Sequence, residues 1–229
     1  MARSMSAEAS FIVSDLHLGS EHFHHCNFLS FLDSLPRDAG LILNGDIIDD
    51  PSRPLCAEHQ FVLERLIQES CQRPLVWVYG NHDANITLED TGQIRFAQHW
   101  EIDRHLLIVH GDDFDEIMPR HGLFRKAFKI WHGLRTAFGF RKVHVAEYAK
   151  KWRFLYRVLN EHVAHNALQV ARSRGFRAVT CGHTHAVMEL DRDGVRYFNT
   201  GAWTEKPLHY IVVDATGIDM HVYEDGENG

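Results

Sequence analysis

The chain has 229 residues, of which 45% are hydrophobic and 24% are charged, and its formal net charge is −7. A chain of this length can bury one substantial core, so we expect a single domain over residues 1–229. The first ten residues are polar, and nowhere do about 18 uncharged apolar residues follow one another. These features argue against a secreted or membrane-spanning protein and predict a cytoplasmic one whose four cysteines are reduced.

Charge is distributed unevenly along the chain. Residues 116–175 hold 13 Lys or Arg and only three Glu or Asp, a local net charge of +10, whereas the remaining residues carry −17. The middle of the chain is therefore electrostatically distinct from its flanks.

Four short apolar runs each end in a polar phrase: ASFIVSDLHLG, AGLILNGDIIDD, RPLVWVYGNHD and RHLLIVHGDDFD. Continuous runs of this kind predict strands that are covered on both faces. Between them, NFLSFLDSL and AEHQFVLERLIQESC place apolar residues at helical spacing, which predicts crossover helices. This alternation indicates an α/β layered fold, in which loops at the carboxyl ends of the strands commonly form the site.

The basic segment interrupts this rhythm. Residues 118–140 and 144–175 have the pattern of two helices, with Gly139 and its neighbours as the break, so we interpret residues 116–175 as a helical insert. Strand patterns resume in RAVTCGHTHAVMEL, GVRYFNTGAWTE and HYIVVDAT, and Asp193-Gly194 predicts a hairpin turn.

Side chains that bind metal or move protons recur at the predicted strand ends. Asp15 and His17, like His183 and His185, are separated by one residue, so in extended chain the members of each pair point to the same side. A single Asp or His at such a place is more often a cap or a surface turn, but the joint recurrence favours one common site. The candidate ligands are Asp15, His17, Asp46, Asn81, His110, His183 and His185, with His82 and Asp83 beside them.

Carboxylate and imidazole ligands together indicate a divalent ion such as Mn²⁺, Fe²⁺ or Zn²⁺, because Mg²⁺ and Ca²⁺ prefer oxygen ligands alone. Seven candidates exceed what one tetrahedral ion can use. Two ions about 3.5–4 Å apart that share one carboxylate would use them all, and such pairs serve in-line displacement at phosphorus. Metal-bound water can have its pKa lowered to ~7, which makes hydroxide available at neutral pH.

Five motifs follow one another along the chain: Asp15-Leu16-His17, Gly45-Asp46, Gly80-Asn81-His82-Asp83, His110-Gly111 and Gly182-His183-Thr184-His185. In this order they resemble the calcineurin-like metallophosphoesterase superfamily, over residues 11 to about 205. The resemblance implies a four-layer α/β/β/α sandwich with a helical hairpin insert. It also implies that a hydroxide held by two metals attacks phosphorus.

The resemblance further implies a role for each motif residue. One metal would be held by Asp15, His17, Asp46 and His185, and the other by Asp46, Asn81, His110 and His183, with Asp46 as the bridge. His82 would stabilise or protonate the leaving side of the reaction, oriented by Asp83. The residue types fit, since a neutral amide ligates without adding charge and an imidazole with a pKa near its unperturbed value of about 6.5 can donate a proton.

Other polar residues near the motifs are more ambiguous. We interpret two acidic groups, Asp49 with Asp50 and Asp112 with Asp113 and Asp115, as solvated turns or as groups that orient ligands. Turn formation explains Asn44 and Asn199 nearly as well as a position facing the site. His22, His24 and His25 are interpreted as a surface loop, because the spacing supplies no further metal ligands.

The insert combines its positive charge with nine aromatic residues, among them Phe124, Phe128, Trp131, Phe138, Phe140, Trp152, Phe154 and Tyr156. A helical hairpin that buries aromatics and solvates Lys and Arg would explain them without any function. A cap with an apolar groove and a cationic rim would instead suit an acylated phosphate substrate at an anionic membrane surface. Two further interpretations are a grip on single-stranded nucleic acid and a groove for a partner protein.

Within the superfamily, three features are similar to the UDP-2,3-diacylglucosamine diphosphatase group of lipid A synthesis. They are the total length, the helical insert between the His110 and Gly182 motifs, and the Gly201-Ala202-Trp203 ending. Those enzymes release UMP and a lipid monophosphate, and their insert holds the acyl chains. Their best-known members carry Arg where this chain has His82, so a divergent member of the group and a relative with another phosphodiester substrate both remain open.

The sequence therefore predicts a dinuclear-metal phosphoesterase with two divalent ions, Mn²⁺ first and Fe²⁺ or Zn²⁺ as alternatives. The expected substrate is UDP-2,3-diacylglucosamine, bound by residues within 116–175. The alternatives are a phosphodiesterase or phosphatase of soluble nucleotides, a nuclease, and a non-catalytic metal-stabilised scaffold. Expected partners are the phosphorylated, nucleotide-linked lipid and the surface of the inner membrane, contacted peripherally through the basic insert, with nucleic acid less favoured.

Overall fold

The four apolar runs form strands at the expected places in the computed structural model, which describes residues 8–84, 86–115 and 145–224. Both predicted crossover helices are present between the first three of these strands. The elements are β1 (Ser10–Val13), α1 (His25–Ser34), β2 (Gly40–Asn44), α2 (Ala57–Ser70), β3 (Leu75–Val78) and β6 (Leu106–Ile108).

The C-terminal strand patterns are also confirmed. They form β7 (Ala178–Cys181), β8 (Met188–Arg192), β9 (Val195–Asn199) and β10 (His209–Val213). Asp193 and Gly194, at φ of 53° and 78°, make the predicted hairpin turn between the antiparallel strands β8 and β9.

Three short strands were not predicted from the sequence. They are β4 (Arg95–Ala97), β5 (Trp100–Ile102) and β11 (Ile218–Val222). Their residues are mostly half-buried or exposed, so they present no continuous apolar run to identify them.

The strands form two mixed sheets. The six-stranded sheet has the order β11-β10-β1-β2-β3-β4, and the five-stranded sheet has the order β5-β6-β7-β9-β8. β1 to β4 are parallel to one another, as are β6, β7 and β9. The remaining pairings are antiparallel. Because parallel strands end at the same edge, the polar phrases after β1, β2 and β3 are brought together there.

The two sheets share one core. Ile12, Ile42 and Val76 of the six-stranded sheet belong to the same buried apolar cluster as Ile108 and Phe198 of the five-stranded sheet. Burial of both sheet faces explains why the predicted strands are continuously apolar rather than alternating.

The second face of the six-stranded sheet packs against helices. Val13, Leu43 and Trp77 belong to a separate cluster with Phe28 of α1 and Leu66 of α2. A helical layer thus covers a sheet that in turn packs on a second sheet. The mixed α/β fold is confirmed, while the predicted fourth layer stays a prediction.

The insert is described only in its second half. The first predicted helix, residues 118–140, and its break at Gly139 lie outside the described residues. At the position of the second predicted helix lies α3 (Val145–Ser173). By its contacts the chain divides into two compact units, one within residues 1–112 and 167–229 and the other within residues 113–166. The insert boundaries of 116–175 and its substrate-binding residues stay predictions.

All four cysteines are free, as expected: Cys26, Cys56 and Cys71 are exposed, and Cys181 is buried. Within the three described ranges, no helix has both the length and the apolar character needed to cross a membrane.

Candidate metal centre

The loops after β1 and β2 are joined by main-chain hydrogen bonds. Asp15 donates its N–H to the Gly45 carbonyl at 3.1 Å, and His17 donates to the Asp46 carbonyl at 3.0 Å. The loop after β7 is tied to the first loop, because His183 donates its N–H to Asp15 Oδ1 at 3.1 Å. The loops from both sheets therefore converge on the Asp15 carboxylate.

Five of the seven predicted ligands have left-handed backbone conformations. Their φ values are 54° for Asp15, 53° for His17, 53° for Asp46, 64° for His183 and 54° for His185. Such conformations are uncommon for residues other than glycine and persist only when the surrounding structure enforces them. Their concentration in three loops that meet at one place is a mark of a functional site.

Motif glycines allow the loops to approach the acidic side chains. A Cβ atom added to Gly80 would lie 2.2 Å from Asp46 Oδ1, and one added to Gly182 would lie 2.2 Å from Asp15 Oδ2. Both distances are far below van der Waals contact. The glycines in these two motifs are thus required by the packing of carboxylates against the main chain.

Replacing Gly80 by Ala is expected to displace the Asp46 carboxylate and to weaken Mn²⁺ binding by about tenfold or more, the scale seen when groups that orient metal ligands are lost. Gly194→Ala is the control, because its Cβ would meet nothing within 4 Å, although its φ of 78°, unlike the φ of Gly80, is unfavourable for Ala. Mn²⁺ titration of both variants measures the effect. Equal Mn²⁺ affinities in the two variants would contradict this prediction.

The first group of converging atoms comes from Asp15, His17 and His185, whose ligand atoms lie within 4.8 Å of one another. The Nε2 atoms of His17 and His185 are 3.0 Å apart, and His185 Nε2 is 3.3 Å from Asp15 Oδ1. With His17 Nδ1–H donating to Asp49 Oδ1 at 3.2 Å, the lone pair of His17 Nε2 faces the other two atoms. Three electron-rich atoms facing one point fit a divalent cation.

A second group is formed by Asp15, Asp46 and His110, all of which are buried. His110 Nδ1 donates to the Asn44 carbonyl at 3.0 Å, which leaves Nε2 directed toward Asp46 Oδ2, 3.2 Å away. Asp15 belongs to both groups, so the bridging role expected for Asp46 stays a prediction.

Charges inside this group are strongly coupled. Burial disfavours the charged form of His110, but the attraction of Asp46 and Asp15 outweighs it and raises the pKa of His110 to about 10. Burial likewise opposes ionisation of Asp46, yet His110 and His82 hold its pKa well below the usual range. Burial also disfavours the charged form of Asp15, but His185 and His110 outweigh this effect and lower the pKa of Asp15. The two carboxylates are therefore charged, and so is His110, whose proton a bound cation would replace.

Asn81 and His183 are brought together beside the second group. Asn81 Oδ1 lies 3.0 Å from His183 Nδ1, and the rings of His183 and His110 are 5.5 Å apart between centroids. Neither residue belongs to the two clusters above within the described chain. Their assignment as metal ligands stays a prediction that their position supports.

His82 is fixed by Asp49, a residue that the sequence left ambiguous. His82 Nδ1 donates to the main-chain carbonyl of Asp49 at 2.6 Å and lies 3.6 Å from its Oδ1. Its Nε2 lies 3.9 Å from Asp46 Oδ2. Asp49 thus contacts both His17 and His82, and with them forms a third group of ligand atoms within 4.8 Å.

The expected role of Asp83 in orienting His82 stays a prediction. Its carboxylate accepts the N–H of Gly80 at 2.7 Å, that of Ile47 at 2.8 Å and the Trp77 indole N–H at 3.1 Å. Asp83 is fully buried, and burial raises its pKa. Asp83 thus connects the loop after β2 to the loop after β3, while Asp49 is the residue against the His82 ring.

Asn44 and Asn199 both hold loops of the site. Asn199 Nδ2 donates to the Gly182 carbonyl at 2.7 Å, and its Oδ1 accepts the Gly201 N–H at 2.9 Å. Asn44 Nδ2 donates to the Val109 carbonyl at 3.1 Å, immediately before His110. These contacts brace the loops that carry the predicted histidine ligands.

The residues fit a metal centre by a separate criterion. Within the described residues, buried Asp15 Oδ2 has no hydrogen-bond partner, and buried His110 Nε2 has none beyond its 3.2 Å contact with Asp46 Oδ2. Buried polar atoms in native proteins nearly always have a partner, and exceptions need an explanation. Ligation of a cation by both atoms would supply one, and the mixed carboxylate and imidazole set suits Mn²⁺, Fe²⁺ or Zn²⁺.

A two-sheet α/β fold with Asp and His side chains gathered at the carboxyl ends of its strands is the arrangement expected of a metallophosphoesterase. The family model for calcineurin-like phosphoesterases matches residues 11–187, so the chain belongs to that family. No curated protein sequence matches it at a significant level.

Two solved structures with a similar fold are distant from this chain in sequence. Vacuolar protein sorting 29 from Cryptosporidium parvum is 14% identical, with 96% of this chain and 93% of that chain covered and a TM-score of 0.51. A cold-active protein-tyrosine phosphatase of the psychrophile Shewanella sp. is 12% identical, with 96% and 79% covered and a TM-score of 0.50. At such identities the similarity shows a shared fold.

Proposed function

We propose that this chain is a dinuclear-metal phosphoesterase that hydrolyses a phosphodiester or pyrophosphate bond. The observation that carries the proposal is the convergence of Asp15, His17 and His185 with Asp46 and His110 around two adjoining groups of ligand atoms. Membership of the calcineurin-like phosphoesterase family supports the same chemistry.

The proposed ligands divide between two divalent ions, Mn²⁺ first. Asp15, His17, Asp46 and His185 would hold one ion, and Asp46, Asn81, His110 and His183 would hold the other. When bound, the ions would polarise the phosphoryl oxygens and supply hydroxide from water at neutral pH. Asp15 and Asp46 offset the repulsion between two dications, while the neutral Asn81 adds no charge that would repel a phosphate.

His82 is proposed as the group that assists departure of the leaving oxygen. Its Nδ1–H is engaged by the Asp49 carbonyl, so Nε2 is the atom left to face the substrate. A proton on Nε2 would be transferred to the leaving oxygen as its bond to phosphorus breaks. Asp83 contributes by fixing the main chain of the loop that bears His82, through its contacts with Gly80 and Ile47.

For the substrate we propose UDP-2,3-diacylglucosamine, cleaved to UMP and 2,3-diacylglucosamine 1-phosphate. Support comes from the sequence of residues 116–175, where a net charge of +10 accompanies nine aromatic side chains. A cationic segment rich in apolar rings suits a substrate that joins a diphosphate to acyl chains. The same properties suit peripheral contact with an anionic membrane surface.

Release of UMP from UDP-2,3-diacylglucosamine tests this proposal directly. Protein loaded with Mn²⁺ is expected to release UMP, and the rate should fall to background after treatment with a chelator and return on adding Mn²⁺. Chromatography and mass spectrometry measure both products, UMP and 2,3-diacylglucosamine 1-phosphate. Bis(p-nitrophenyl) phosphate assayed in parallel separates the general chemistry from the substrate.

The outcomes distinguish the alternatives. Turnover of bis(p-nitrophenyl) phosphate and soluble nucleotides without UMP release from the lipid would replace the lipid substrate by a nucleotide. A nuclease would show DNA binding that weakens steeply with salt. Protein that binds Mn²⁺ and turns over none of these substrates would refute the enzymatic proposal in favour of a metal-stabilised scaffold.

A further inference from the structure

His59 contacts the loop that carries Asp15 and His17 although it lies on a helix outside the motifs. It is 6% exposed, near the start of α2, and its Nδ1 lies 2.9 Å from the main-chain N of Gly19. Since the Gly19 amide can only donate, His59 Nδ1 accepts, and the neutral ring carries its hydrogen on Nε2. Burial lowers the pKa of His59, in agreement with a neutral ring.

Gly19 directly follows the part of the loop that the neighbouring loop holds. Up to Leu18 the loop is held by the neighbouring loop, since Leu18 donates to the Ile47 carbonyl at 2.8 Å and accepts from Asp49 N–H at 2.9 Å. At Gly19 φ is 105°, a conformation that favours glycine. The next contact along the main chain is the one from Gly19 N–H to His59.

We propose that His59 is a positioning residue for the metal centre, which holds Asp15 and His17 in place by accepting the Gly19 amide. The inference rests on the proposed function, because it assigns those two residues to a metal. Asp15 and His17 have φ of 54° and 53°, conformations that persist only where surrounding contacts enforce them, and the contact from His59 adds one at the end of this loop. Partners that orient metal ligands typically change metal affinity by about 10–100-fold when they are lost.

Two substitutions separate positioning from packing. His59→Phe keeps an aromatic ring against Phe23 and His25, whose ring centroids lie 5.3 and 5.7 Å from that of His59, but it removes the acceptor. His59→Asn removes the ring but carries an amide oxygen on Cγ, where His carries Nδ1. A purely structural role makes Phe the better replacement, whereas a positioning role makes Asn the better one.

Mn²⁺ titration of the full chain tests the proposal, with binding followed by calorimetry or by the electron paramagnetic resonance signal of free Mn²⁺. We expect the Mn²⁺ affinity of His59→Phe to be weaker by about tenfold or more. The Mn²⁺ affinity of His59→Asn should stay within about threefold of that of the unaltered protein. Thermal unfolding of the metal-free proteins should show the opposite order, with Asn the less stable. Affinity that follows thermal stability across the variants would overturn the proposal.

Amide hydrogen exchange at Gly19 in the metal-free full chain supplies a readout that needs no metal. Exchange should be faster by about tenfold or more in His59→Phe and nearly unchanged in His59→Asn. Faster exchange in His59→Phe with undiminished Mn²⁺ affinity would show that the contact is only structural. That result would refute the positioning role of His59 and leave the proposed function standing. An unaltered protein that binds none of Mn²⁺, Fe²⁺ or Zn²⁺ would refute the proposed function and this role together.

Discussion

Replacing Asp46 by Asn is expected to lower kcat about a thousandfold and to leave one tightly bound divalent ion per chain in place of two. The proposed bridge would lose the negative charge that offsets repulsion between the ions. Metal ions stabilise charge in the transition state by several kcal/mol, and each ~1.4 kcal/mol corresponds to a factor of ten in rate. Steady-state kinetics and the stoichiometry of bound Mn²⁺ measure the two effects.

The substitution removes the charge and one carboxylate oxygen but keeps the size and main-chain conformation of residue 46. Asn tolerates the left-handed conformation that Asp46 adopts at φ 53°, and its amide oxygen can still accept the His82 N–H that Asp46 Oδ1 accepts at 2.9 Å. Asp38→Asn is the matched control, since Asp38 is exposed in the turn before β2. Two tightly bound Mn²⁺ ions in Asp46→Asn would show that Asp46 is not the bridge.

The strands that could be predicted are those buried on both faces, because such burial requires a continuous run of apolar residues in the sequence. β2 reads GLILN and β3 reads LVWV, and every residue of both is buried between the helices and the second sheet. β5 reads WEI, with all three residues half-buried, and pairs with β6 at the edge of its sheet. The formation of such an edge strand depends on pairing with its neighbour β6, so its own three residues do not predict a strand.

The candidate site shows the same division. The seven ligand candidates were found because their types recur after strands, which is a local pattern. Asp49 was interpreted as a turn or an orienting residue, and its contacts with His17 and His82 depend on how two loops fold together. His59 gave no signal at all, because a single His in a helical pattern looks like any other buried position. Sequence order thus predicts the chemistry of the site, while the contacts that orient it require the fold.

Replacing His82 by Ala is expected to lower kcat by about 10²–10⁴-fold on a substrate with a poor leaving group, the usual contribution of a positioned acid. Mn²⁺ affinity should stay within about threefold of the unaltered protein, because His82 is not among the proposed ligands. Parallel kinetics and Mn²⁺ titration measure the two effects. His22→Ala is the matched control, since the His22 side chain is 73% exposed outside the site.

A series of aryl phosphodiesters whose leaving phenols differ in acidity tests the role of His82 more sharply than one substrate can. A phenol with a pKa of about 10, similar to that of Tyr, needs the proton from Nε2 as its bond to phosphorus breaks. A nitrophenol is more acidic and leaves as an anion, so the rate of hydrolysis of its ester should fall by about tenfold or less in His82→Ala. The dependence of rate on leaving-group pKa should therefore be steeper in the variant. An equal loss across the whole series would show that His82 acts on binding or on the attacking side, and the contact between His82 Nδ1 and Asp49 would then serve only to hold the ring beside Asp46.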